Sequence, residues 1–342
     1  METMCITRIK YATFMKQLIY HITTFILMTT ILLFIAGCST DNPSIIYYTT
    51  YDGNIIKPRK NAFNAKIVSN TYENGIGIIK FDNAIDEIGE EAFKSCERLI
   101  SITIPDGVTT IGNSAFFSCI NLSEITIPNS VTNIGASSFS RCQRLTNITL
   151  PNALNTIGEY AFNDCKSLRS ITIPDNVSYI GKRAFTGCSI LKEFKGKYAT
   201  EDGKFLIYKN RLEAYTSNGE TRCIIPEGVI YIGGSVFENR SDLIDIKIPD
   251  SVTGIGASSF AGCNGLTSII IPENVIAIES WAFQGCNNLR TIFCLSPIPP
   301  TCDNKWTLNN GQPSIYVQYE CMQEYKKAAY WKEHFIRYYT ED

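Results

Sequence analysis

Apolar positions recur along the chain at a fixed interval of 23 residues. Phe93, Phe116, Phe139, Phe162 and Phe185 keep this spacing, and Phe237, Phe260 and Phe283 resume it after one irregular stretch. Leu99, Leu122, Leu145, Leu168, Leu191, Leu243, Leu266 and Leu289 run in step with them, as do Pro105, Pro128, Pro151, Pro174, Pro226, Pro249 and Pro272. Self-similarity at such a period marks a repeat architecture in which each unit is one supersecondary element. Eight full units are visible, and Phe81 to Ile88 reads as the lead-in to the first.

One unit reads L-x-x-I-x-I-P-x-x-V-T-x-I-G-x-x-A-F-x-x-C. Ile102 and Ile104 are two apart, so both point to the inward face of a short strand. Pro105 ends the ladder and forces a corner. Val108 and Ile111 begin a second, shorter extended piece, and Gly112 permits the turn after it. Ala115, Phe116 and Cys119 are spaced to share one face of a single helical or 3₁₀ turn. No unit can bury such a face alone. The pattern therefore predicts an α+β repeat solenoid, a right-handed stack of about nine or ten strand, turn and short-helix units, roughly 45 Å long at ~4.8 Å per unit.

Three stretches leave the frame. Between Pro174 and Pro226 one unit carries extra residues, and Phe205 to Tyr208, Lys209-Asn210 and Arg211 to Tyr215 read as a hairpin projecting from the stack, an insert at about 197–222. Ile45 to Ile56 pivots on Asp52-Gly53, a hairpin turn signal. After Cys294 come SPIPPTC, a strand expected over Ser314 to Gln318, and a helix with Met322, Tyr325 and Ala329 on one face. Residues 45–80 and 295–342 are expected to cap a solenoid over 81–294, because solenoid ends must be kept off water and off each other.

The 342 residues are 44% apolar and 19% charged, enough for a large core and unlike a disordered or collagen-like chain. Lys and Arg total 31 against 33 Asp and Glu. With no basic excess to neutralise phosphates, nucleic acid is not an expected partner. Only His21 and His334 are present. A hydrolase needs a nucleophile with a base, or a metal, and the chain has no G-x-S-x-G, H-E-x-x-H, P-loop or G-x-G-x-x-G opening a helix. His334, between Glu333 and Phe335, reads as solvated or packed in the C-terminal cap. Asp242 and Asp245 lie on a polar face. The chain is not expected to be an enzyme, and no cofactor is implied.

Gln17 to Thr40 carries no formal charge behind a lone Lys16. About 20 apolar residues suffice to span a bilayer, but a basic start and an apolar centre also make a cleaved signal peptide. Ile35, Ala36, Gly37 and Cys38 resemble the lipobox of bacterial lipoproteins, which implies a signal peptide over 1–37, lipidation of Cys38 and a tether over 38–44. Met15-Lys16 makes a more ordinary start than Met1. Ser39 and Thr40 after the cysteine imply an outer-membrane destination. A chain beginning at Cys38 loses Arg8, Lys10, Lys16 and Glu2 and becomes mildly acidic.

Thirteen cysteines would suit a disulfide framework, but Cys96, Cys119, Cys142, Cys165, Cys188, Cys263 and Cys286 share one repeat position, with Arg240 there once. This reads as a column of buried thiols, each a weak donor to a nearby carbonyl. Such neighbours stack in a line rather than converge, so no metal is expected. Cys223 and Cys294 fall at Ile positions of the core. Cys302 and Cys321 are left, and an oxidising exterior keeps their pairing open.

The pattern resembles the BspA-like leucine-rich repeat family of 23-residue type. The resemblance rests on the repeats from Ile88 to Cys294, on YTTYDGN at Tyr48 to Asn54, on SNTYENGIGIIKF at Ser69 to Phe81, and on the closing IYV, EYKKAAYW and HFI elements. Arg240 for Cys, Glu279 for Gly and Gln318 where such chains often have Pro are the departures. The resemblance implies a leucine-rich-repeat-like fold and a non-catalytic surface protein that binds a protein partner, with adhesion to host or neighbouring-cell proteins as its use. A periplasm-facing scaffold or a glycan-binding surface lipoprotein is the alternative; Tyr179, Tyr231 and Trp281 are aromatics between the consensus positions.

Residues alternating with the inward strand positions face out: Thr103, Thr126, Thr149, Thr172, Lys195, Lys247, Ile270 and Phe293 in one column, Ser101, Glu124, Asn147, Ser170, Glu193, Asp245, Ser268 and Thr291 in another. Thr and Ser suit a solvated sheet face, whereas the concave face of a solenoid is a contact surface. Glu193, Lys195, Asp245 and Lys247 vary most in charge and flank the insert. They are the first partner-binding candidates, with the hairpin tip from Tyr208 to Asn210 as a second. Ile270 and Phe293 are expected to lie under the C-terminal cap.

Overall fold

The computed structural model describes residues 44–216, 219–304, 307–308 and 313–339; the expected signal segment and Cys38 lie outside the described residues. The units wind into a β-solenoid of about 11 turns. One side is a front ladder of parallel strands, including Leu99–Thr103, Glu124–Thr126, Ser170–Ile173, Glu193–Gly196, Asp245–Lys247, Ser268–Ile271 and Thr291–Cys294. Neighbours pair one repeat apart, with Ser101 opposite Glu124 and Ile102 opposite Ile125. Period-two alternation then buries Ile102 and Ile104 and leaves Thr126 in solvent. The prolines turn the chain into a back ladder of two-residue strands, where Ile111, Ile134 and Ile157 stack in register.

The third side is built from turns, not the expected short helices. Ala115 N donates to Gly112 O, Phe117 N to Ser114 O and Cys119 N to Phe116 O, while the intervening Ser114, Phe116 and Ser118 N–H groups donate to Ala136 O, Ser138 O and Ser140 O of the next rung. A helix needs successive N–H groups to bond within the segment, and here alternate ones are spent between rungs. Ser114 and Ser118 consequently sit at φ 53° and 61°. Gly187, Asn239, Gly262 and Gly285 occupy the second of these left-handed positions in other rungs, matching the residues that tolerate it.

Inside, Phe93, Phe116, Phe139, Phe162 and Phe185 form one stacked file with centroids 5.2 to 5.5 Å apart. Phe237, Phe260 and Phe283 form another. Every back-ladder Ile from Ile88 to Ile255 is followed by a glycine, and close approach of the neighbouring backbone requires it. A Cβ on Gly158 would lie 2.4 Å from Gly135 C and 2.5 Å from Ala136 N. Gly158→Ala is expected to lower stability by about 1–3 kcal/mol, the cost of forcing an atom into packed backbone, read as a lower urea midpoint. Glu279 stands at this position in one unit, and its carboxylate accepts from Ala257 N at 3.1 Å and from the Tyr231 hydroxyl.

The insert does not project; it is built into the stack. Phe205–Tyr208 pairs antiparallel with Arg211–Tyr215, and the latter joins the back ladder with Leu212 opposite Ile232. The faces of the hairpin serve different cores: Leu206, Tyr208 and Ala214 pack with the N-terminal half, Phe205 and Leu212 with the C-terminal half. A hydrophobic hairpin is thus a partition between two cores.

At the N-terminal end, Ile45–Thr50 pairs antiparallel with Ile76–Phe81 and with Leu99–Thr103. The expected hairpin at Asp52-Gly53 is not formed. The tight hairpin is Ile67–Glu73 with Ile76–Phe81, turning on Asn74 (φ 51°) and Gly75 (φ 83°), the two positive φ values that a type I′ turn demands. At the other end Ser314–Gln318 extends the front ladder, followed by Ile336–Tyr339. The helix Met322–Lys327 is short, and Ala328, extended at its end, packs on the core in place of the exposed Ala329. Tyr325 and Trp331 are fully buried; the Tyr325 hydroxyl donates to Ser296 O at 2.7 Å and Trp331 Nε1 to Pro300 O at 2.8 Å. Cys302 and Cys321 are both free thiols.

Candidate functional site

The front ladder carries its outward column in strict register. Thr103 lies opposite Thr126, Thr172 opposite Lys195, and Ile224 opposite Lys247. Ile270 then lies opposite Phe293, Phe293 opposite Tyr316, and Tyr316 opposite Arg337. The chemistry changes along this line from threonine in the N-terminal half to lysine, isoleucine and aromatics in the C-terminal half. Ile224 is 69% and Ile270 53% exposed. Phe293 is half-buried, its ring 5.2 Å from Tyr316 and 6.4 Å from Tyr339. The C-terminal strands therefore cover Phe293 in part, through Tyr316 and Tyr339, and leave Ile270 exposed. They add to the ladder edge, which lengthens the column.

The four charged candidates are exposed or half-exposed but do not form one cluster. Glu193 and Lys195 belong to a two-stranded pair with Ser170–Ile173, and Asp245 and Lys247 to a pair with Arg222–Ile224. Lys195 Nζ lies 2.8 Å from Glu193 Oε1, an exposed ion pair of small energetic weight. Asp245 has Arg222 opposite it. Tyr208 is not a surface contact: it is buried, and its hydroxyl donates to Ser178 O. Lys209 and Asn210, at φ 49° and 60°, form the exposed tip. Arg222 and Ile224 escaped sequence reasoning although a signal existed, since Ile224 stands two before Pro226 as Thr103 stands two before Pro105. Tyr316 and Arg337 lie beyond the repeat frame and carried no such signal.

The cysteine column is as the spacing predicts. Cys119 donates to Phe93 O at 3.0 Å, Cys142 to Phe116 O at 3.3 Å, Cys165 to Phe139 O at 3.2 Å and Cys263 to Phe237 O at 3.0 Å. Burial pushes the Cys96 thiol up to about 11 and Cys188 to about 12, so these groups stay protonated and unreactive at neutral pH. Arg240 replaces the thiol where no preceding rung offers a phenylalanine carbonyl. Its guanidinium instead grips Asp242 at 2.8 and 2.9 Å and lies over the Tyr215 ring. Among the described residues no group of three or more His, Cys, Asp or Glu is placed to hold a metal ion. His334 is half-buried, and burial lowers its pKa. Among the described residues no helix is long and apolar enough to cross a membrane.

A family model for BspA type leucine rich repeat regions, in six copies, matches residues 65–194 and 212–302. A leucine-rich repeat protein from Eubacterium ventriosum has a similar crystal structure, with a TM-score of 0.55 at 23% identity over 72% of this chain and 70% of that one. A leucine rich cell surface protein from Faecalibacterium prausnitzii aligns with a TM-score of 0.49 at 26% identity over 75% and 77%. No curated protein matches the chain.

Proposed function

Because the chain belongs to the BspA-type leucine-rich repeat family, we propose that it is a non-catalytic cell-surface lipoprotein whose front ladder binds another protein, as an adhesin or host-interaction protein. In this reading residues 1–37 are a signal peptide, lipid on Cys38 holds the protein to the outer membrane, 45–80 and 295–342 cap the stack, and 81–294 present the binding face. Anchoring of this kind needs more than one acyl chain for stability. The observation that carries the reading is the outward column itself. Ile224 and Ile270 place exposed apolar groups on a ladder that also carries Lys247 and the half-buried rings of Phe293 and Tyr316, and such patches mark interaction sites.

The test is an array of extracellular-matrix and host cell-surface proteins probed with wild type, Ile270→Asp and Thr126→Asp. The expected result is a protein hit that Ile270→Asp weakens at least tenfold, about 1.4 kcal/mol, and Thr126→Asp leaves within twofold. A hit indifferent to both substitutions, or no protein hit, removes the front column from this role. A glycan-binding role has one observation in its favour, the exposed Tyr319 and Tyr338 rings 5.2 Å apart; a sugar hit lost in Tyr319→Ala would put it first.

A further inference from the structure

Beyond the insert the outward column of the front ladder reads Ile224, Lys247, Ile270, Phe293, Tyr316 and Arg337, where the N-terminal half carries Thr103, Thr126 and Thr172. Threonine and isoleucine are both good strand formers, so the sheet itself does not require the exchange. Ile224 is 69% and Ile270 53% exposed, apolar area that folding leaves in water. Their units are separated by one other, since the back strands pair Tyr231 with Gly254 and Gly254 with Ala277. The two isoleucines therefore stand two rungs apart, about 9.6 Å at strand spacing, with Lys247 between them.

The charge of this face is not balanced within it. From Ile224 to Arg337 the column holds Lys247 and Arg337 and no carboxylate, and neither cation meets one among the described residues. In the column beside it Arg222 and Asp245 lie opposite each other and offset, and Ser268 and Thr291 follow. Lys195, the next outward position toward the N-terminus, is held by Glu193 at 2.8 Å. Glu227, Asp250 and Glu273 come after the strand-ending prolines, past the edge of the face. The face is complementary to an apolar segment that carries negative charge opposite Lys247.

The spacing selects the conformation of that segment. An extended chain presents one face every second residue, about 6.6 Å apart, and falls out of phase with a 9.6 Å pair. An α-helix presents residues i and i+7 about 10.5 Å apart, with i+3 and i+4 between them on the same face. Apolar residues at i and i+7 then meet Ile224 and Ile270, and an acid at i+3 or i+4 meets Lys247. A helix laying its apolar face along such a surface is a recurring mode of recognition. The short side chains of Ser268 and Thr291, beside Ile270 and Phe293, leave room for its body.

We propose that the column from Ile224 to Phe293 receives one amphipathic helix of the partner protein, lying along the stack, with apolar residues seven apart and an Asp or Glu between them against Lys247. This rests on the protein-binding reading of the column and adds to it the shape and charge of the partner.

The test is selection against the full chain from two phage-displayed libraries. One is a small three-helix domain with an exposed helix face randomised, the other random linear twelve-residue peptides. Recovered binders are measured on wild type, Lys195→Glu, Lys247→Glu and Ile270→Asp, all at exposed positions, so the core is left intact. The helical library is expected to enrich, with apolar residues seven apart and an acid three or four after the first. These binders weaken at least tenfold on Lys247→Glu and on Ile270→Asp and stay within twofold on Lys195→Glu. Changing their acid to Lys restores at least fivefold on Lys247→Glu. Enrichment of linear peptides alone, weakened by Ile270→Asp, would overturn the helix and leave the column a protein-binding face. Helical binders weakened by Ile270→Asp but not by Lys247→Glu would overturn the charge pairing. Binders indifferent to Ile270→Asp, or none from either library, would overturn the proposal together with the column's role.

Discussion

Phe139→Ala is expected to destabilise the solenoid by about 3–5 kcal/mol, the range for deleting a buried phenylalanine. Phe139 is fully buried with Phe116 and Phe162 stacked 5.3 and 5.4 Å on either side. The neighbours cannot close the hole, because their rungs are tied by Phe116 N to Ser138 O and Phe139 N to Ala161 O, both at 2.8 Å. Repeat stability is close to a sum of unit and nearest-neighbour terms, so one missing ring weakens two interfaces at once. Urea unfolding followed by far-UV circular dichroism reads the effect. A loss below about 1 kcal/mol, the cost of a mild core change, would mean that the file of rings is not what couples the units.

Glu213 gives the second large effect, and it depends on pH. Its side chain is 5% exposed with Arg211 Nε 3.0 Å away. Burial raises its pKa to about 7, against the opposing pull of Arg211 and Lys182. A carboxyl whose folded pKa lies above its unfolded value binds its proton more tightly when folded. Its favourable contribution is therefore complete below about pH 4.5 and is lost as the pH rises through about 7. At 1.36 kcal/mol per pKa unit the swing reaches about 3 kcal/mol. Glu213→Gln, which keeps the shape and removes the ionisation, is expected to unfold at a higher temperature than wild type at pH 8 and to lose most of the advantage at pH 5. Equal separation at both pH values would show that ionisation of Glu213 is not being penalised.

The repeat frame made most of this legible in advance, because one buried position per unit, such as the Phe file or the Cys column, fixes the winding of all the others. What it misjudged lay where local signals compete. Ala115, Phe116 and Cys119 have helical spacing, but the left-handed position at the end of each turn layer is filled by Gly187, Asn239, Gly262 and Gly285 in four units, and these were the signal for turns. Asp52-Gly53 and Asn74-Gly75 are both hairpin dipeptides, and the second prevailed because Ile67–Glu73 and Ile76–Phe81 flank it as strands. The insert read as a projection because its apolar faces were taken one at a time. Alternation along Phe205, Leu206, Ile207 and Tyr208 buries both faces, as a partition requires.

The most direct test of a surface-displayed binding scaffold is protease shaving of intact cells carrying the tagged protein, beside a Cys38→Ala variant. The account predicts that the wild type is cleaved from outside and that the variant leaves the membrane fraction. A wild type that stays membrane-bound and protected would contradict surface display and leave a periplasm-facing scaffold in its place.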